Sequence, residues 1–103
     1  MDSRLILREQ LQEIMGSNKV YFDPPTNTTM EYPCIKYELI KRRTQYANGN
    51  RYIRRDAYTI TLIDKNHKHA IEICEQIEKI KYAMFDRTYV SDGLHHYVYT
   101  ITI

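Results

Sequence analysis

Two alternating stretches around one turn constrain this chain most. From Cys34 to Arg43, Ile35, Tyr37 and Leu39 alternate with Lys36 and Glu38; from about Arg51 to Ile63, Tyr58, Ile60 and Leu62 alternate with Thr59 and Thr61. A period of two sends successive side chains to opposite faces of a strand, so each stretch reads as a strand with one apolar face. Between them lies Asn48-Gly49-Asn50, and an Asn-Gly step tolerates the positive φ of a tight turn. The pair is therefore a β-hairpin, and its apolar face needs a partner layer.

Helical spacing supplies that layer. Leu7, Leu11, Ile14 and Met15 recur within 3–15, with Asp2 or Ser3 to cap the start and Gly16 to stop it. Ala70, Ile73, Cys74, Ile77 and Ile80 mark a second helix over 67–81, with Asn66 as its cap and Glu75 and Lys79 spaced to pair. A short apolar strand, Val20 to Phe22, ends at Pro24-Pro25, and a polar loop leads to Pro33. Two further strands, near Ala83–Val90 and Leu94–Ile103, flank the turn Ser91-Asp92-Gly93. In the last strand Tyr97, Tyr99, Ile101 and Ile103 share one face and Val98, Thr100 and Thr102 the other. Both faces are apolar or β-branched, which fits an interior strand or one packed on a partner subunit. The order α-β-β-β-α-β-β predicts an α+β fold, with an antiparallel or mixed sheet carrying two helices on one face. Its 103 residues make one domain, 1–103.

Composition narrows the function. Ten Tyr and no Trp suit half-buried sheet faces and interfaces. A net charge of +2 does not by itself mark a nucleic-acid binder. Cys34 and Cys74 belong to no Cys-x-x-Cys or Cys/His cluster and read as buried thiols. No signal peptide is expected in the first residues, nor any membrane span, and the chain is expected to be cytosolic where it is made.

Catalysis needs acid, base and nucleophile brought together. Here the carboxylates are scattered, and no nucleotide-binding or hydrolase motif occurs. His95 and His96 are adjacent on a strand and point to opposite faces, while His67 and His69 diverge at a helix start. No metal, cofactor or enzymatic activity is expected.

Charge is concentrated in the hairpin. Lys41, Arg42, Arg43, Arg51, Arg54 and Arg55 are six of the fifteen basic residues, and no acid lies among them. Like charges on paired strands repel, which a solvated tip tolerates and an acidic partner relieves. Tyr46 and Tyr52 lie in the same segment and favour contact.

Several blocks resemble one family. Met30-Glu31-Tyr32-Pro33-Cys34-Ile35-Lys36-Tyr37-Glu38-Leu39 is similar to its opening strand, Tyr46-Ala47-Asn48 to its turn, and Tyr58-Thr59-Ile60-Thr61-Leu62-Ile63-Asp64 to the strand that follows. Phe85-Asp86-Arg87, Tyr89, Asp92, Leu94 and His96 match its closing signature. Over about 20–103 the chain resembles the tail terminator or tail completion proteins of long-tailed phages infecting Gram-positive bacteria. It departs from them in carrying Lys65-Asn66-His67-Lys68-His69 where the family has an acidic turn.

The resemblance implies a structural role without cofactor. Six copies, as a ready hexamer or as monomers that assemble there, would form a ring on the finished tail tube, end its polymerisation and offer a surface to the head connector. DNA would pass through the lumen without specific binding, and the protein would lie in the virion at the head-proximal end of the tail. Ring closure needs two different faces on each subunit. The candidates are the basic hairpin (Lys41, Arg42, Arg43, Tyr46, Arg51, Tyr52, Arg54 and Arg55) and the last strand at Tyr97 and Tyr99. A head-closure or neck protein is the alternative in the same class. A β-ribbon binding nucleic acid is the alternative outside it.

Overall fold

The computed structural model describes residues 3–16, 19–24, 31–47 and 51–102, with side chains at 4–16, 19–24, 31–41 and 55–102. The turn Asn48-Gly49-Asn50, the cap Asp2, the side chain of Ser3, Pro25 and Ile103 lie outside the described residues.

The fold is α+β, in the predicted order. Helix α1 spans Ser3–Met15 and α2 spans His67–Glu78; the strands are β1 Val20–Phe22, β2 Cys34–Ala47, β3 Arg51–Asp64, β4 Met84–Ser91 and β5 Leu94–Thr102. They form one five-stranded sheet in the order β1-β2-β3-β5-β4. Only the β1–β2 pairing is parallel, so the sheet is mixed. β5 lies between β3 and β4, the interior position its two-sided pattern allows.

The register explains the core. Ile35 pairs with Leu62 and Tyr37 with Ile60; Leu62 in turn pairs with Tyr97, Ile60 with Tyr99 and Tyr58 with Ile101. Cross-strand partners share a face. This face carries Leu7 and Leu11 of α1 and Ala70, Ile73, Cys74 and Ile77 of α2, so both helices cover the same side of the sheet. Fully burying a Leu or Ile side chain stabilises by roughly 1.5–3 kcal/mol.

The ends follow local rules. Gly16 has φ of 67° and donates its N–H to the Gln12 carbonyl at 2.9 Å, a left-handed stop that costs glycine least. Asn66 Oδ1 accepts from the N–H groups of Lys68 and His69 at 3.0 and 3.4 Å, capping α2. Ser91 pairs with Leu94 across Asp92 and Gly93, whose φ values of 52° and 74° make the tight hairpin turn.

Two expectations are corrected. The second helix stops at Glu78 rather than 81. Lys79 and Ile80 bond back three residues, to Gln76 and Ile77, so Ile80 reaches the core from a tightened turn instead of a helical one. No ion pair joins Glu75 to Lys79 among the described residues, because Lys79 already lies beyond the helix.

Candidate functional site

The hairpin is two structures in one. Up to Ala57, β3 has β2 on one side and β5 on the other; Ala57–Thr102 is the last β3–β5 pair. Beyond it, β2 and β3 pair only with each other, from Lys41–Ala57 to Ala47–Arg51. At about 3.4 Å per residue this two-stranded arm extends roughly 20 Å past the sheet, and the protein measures 52 × 29 × 24 Å. A two-stranded ribbon is marginal by itself in water. Nothing among the described residues packs on this one.

All eight hairpin candidates lie on the arm or at its root. The register places Arg43 opposite Arg55, Thr44 opposite Arg54, Tyr46 opposite Tyr52 and Ala47 opposite Arg51. Like charges directly opposite each other destabilise a strand pair. Arg42, Arg43, Tyr46, Arg51, Tyr52 and Arg54 have described backbones only. Lys41 and Arg55 are exposed at the root, where they line a cleft of about 250 Å³ with Ala57 and Thr102. Arg55 also borders a wider cleft of about 580 Å³ with Tyr82, Met84 and Thr102.

Tyr97 and Tyr99 are not surface residues. They are 7% and 2% exposed and belong to the core. Their face of β5 is the one the helices cover, so the expectation that they join a subunit contact is corrected. Burial, with the Cys74 thiol and the Glu78 carboxylate beside it, pushes the Tyr99 hydroxyl well above the ordinary phenol range.

The histidines separate as the strand geometry requires. His95 faces His67 and Tyr97 on the helix side, with the Tyr97 hydroxyl and His67 Nδ1 sharing a hydrogen bond. His96, on the other side, stacks on Tyr89 with ring centroids 4.5 Å apart. Asp64 is 3% exposed; it accepts from the Asn66 N–H at 2.9 Å and from His69 Nδ1 at 2.7 Å. This group ties the start of α2 to the end of β3.

Two surfaces escaped the sequence reading. Edge strand β4 is exposed throughout, with Met84, Phe85 and Val90 prominent. Its mixed pattern gave no face, because Asp86 is an extra residue between the pairs Phe85–Tyr99 and Arg87–Val98. The second is the outer face of α2, where Ile71, Glu72 and Glu75 are exposed together with Lys68 and Lys79. The charges were legible there, but not that no ion pair joins them among the described residues.

No protein-family model matches the chain, and no curated protein matches it. No described helix is long and apolar enough to cross a membrane.

Proposed function

We propose that the chain is a structural subunit of a phage tail, a terminator that assembles as a ring on the finished tube, halts its growth and presents a surface to the head connector. The observation that supports this most is the arm. A basic, two-stranded ribbon projects from a well-packed sheet, and no other described strand pairs with it beyond Ala57, which is the condition of an element that docks on assembly. The ordered sequence blocks over about 20–103 add the family.

Polymerising the tail-tube protein of the same phage with and without the chain tests the reading. Tubes of limited length with extra density at one end are expected. Deleting 42–54 is expected to abolish both effects while leaving the sheet folded. Unchanged tube lengths with bare ends would refute the proposal.

A further inference from the structure

We infer that the cleft between the first turns of α1 and strand β1 binds a small aromatic oxyanion, a carboxylate or phosphate carried on a flat apolar body. None of its residues belongs to the arm, so the site stands apart from the terminator reading.

The fold brings the cleft together at the β1 edge of the sheet. Arg4 and Arg8 are four residues apart and share one face of α1. Leu7 and Leu11 hold the helix on the core, which leaves the arginines beside β1. That strand pairs with β2 through Phe22 and Tyr37, whose ring centroids are 5.0 Å apart. Between helix and strand lies a cleft of about 450 Å³, bordered by Arg4, Leu5, Arg8, Val20, Phe22 and Tyr37 among others. Small-molecule sites ordinarily enclose roughly 300–1,000 Å³.

Val20 and Tyr37 are buried and give the cleft an apolar floor. Leu5 and Phe22 are 45% and 38% exposed, apolar surface left open in a concave place. Arg4 Cζ lies 5.1 Å from the centre of the Phe22 ring, so the aromatic wall holds one guanidinium in position. No ion pair joins Arg8 to an acid among the described residues. No described acid borders the cleft either. Glu9 and Glu13 of α1 and Asp23 beside Phe22 are close in sequence, yet none of them lines it.

Two cations one helical turn apart repel each other, and an oxyanion between them turns that repulsion into attraction. A guanidinium presents parallel N–H donors that match the oxygens of a carboxylate or a phosphate. The walls add a second requirement. A bare ion would leave Leu5 and Phe22 in water, whereas a flat ring covers both and packs on Phe22. Anionic head and aromatic body are therefore both selected.

Titration of the full chain with 2-naphthoate and with 2-naphthyl phosphate, followed by amide NMR, is the test. Saturable shifts confined to 4–8, 20–24 and the neighbourhood of Tyr37 are expected with at least one of them, and the tighter of the two names the head group. Neutral 2-naphthamide, and acetate without a ring, are each expected to bind about tenfold or more weakly. Arg8→Gln is expected to weaken binding by about tenfold or more. Arg87→Gln, which takes the same charge from an exposed position on β4, is expected to bind as wild type does. No saturation by either anion at millimolar concentration, shifts scattered over the surface, equal affinity for the amide, or equal weakening by the two substitutions would each overturn the inference. The spectra themselves show whether a variant is folded. Should Arg8→Gln disturb the fold, the comparison of anion with amide on wild type decides alone.

Discussion

Lys41 stands opposite Ala57, and Ile40, between Lys41 and the Leu39–Tyr58 pair, has no partner on β3. This bulge lies where the sheet gives way to the arm, since Ala57 is also the last β3 residue paired with β5. An extra residue bends its strand and increases local twist, so the bulge sets the direction in which the arm leaves.

Deleting Ile40 is a clean test of that role. The deletion keeps every cross-strand pair and removes only the bulge. Ile40 is 55% exposed, so little packing is lost. Circular dichroism is expected to remain native-like, while capping of tail tubes falls with the re-aimed arm. Unaltered capping would show that the bulge does not aim it.

The sequence made the architecture readable where period and punctuation agreed. Ile35, Tyr37 and Leu39 alternated cleanly, Gly16 and Asn66 marked helix ends, and Asp92-Gly93 marked a turn. What it could not separate was apolar contact from apolar core. Tyr97 and Tyr99 looked equally fit for a partner or for the helices, because a strand pattern gives the face and not what covers it. Ile80 continued a helical stripe by spacing alone, although the helix had ended. The arm's length was legible in its charges, but its isolation depends on where β5 stops, a tertiary fact.

Tyr99 and Arg55 are expected to behave oppositely. Tyr99→Ala opens the core and is expected to cost about 3–5 kcal/mol. Arg55→Ala, at an exposed position, is expected to stay within about 0.5 kcal/mol. Urea unfolding of both variants measures the contrast, and equal small effects would place Tyr99 outside the core.

Removing the α2 cap should destabilise the fold locally. Asn66→Ala takes away the acceptor of two backbone N–H groups and is expected to cost about 1 kcal/mol. Asn66→Asp is expected to retain most of that stability. Thermal unfolding of the two variants distinguishes them.

A buried thiol and a half-buried imidazole give pH signatures. Burial pushes the Cys34 thiol up to about 11, which leaves on the order of one thiolate in a thousand at pH 8. Iodoacetamide is expected to modify Cys34 only after unfolding, with mass spectrometry of peptides as the readout. Burial also lowers the His96 pKa from 6.5. The unfolded chain then takes up a proton that the folded one resists, so stability falls as pH drops through about 6.5. His96→Gln is expected to flatten the difference in Tm between pH 7.5 and 5.

The central claim is that this protein acts by assembling through its arm. Negative-stain imaging of tail tubes incubated with the full chain, beside the chain lacking 42–54, tests it most directly. A six-fold ring on one end of the tube with the full chain, and bare ends with the deletion, is the expected result. Bare ends in both, or identical rings in both, would contradict it.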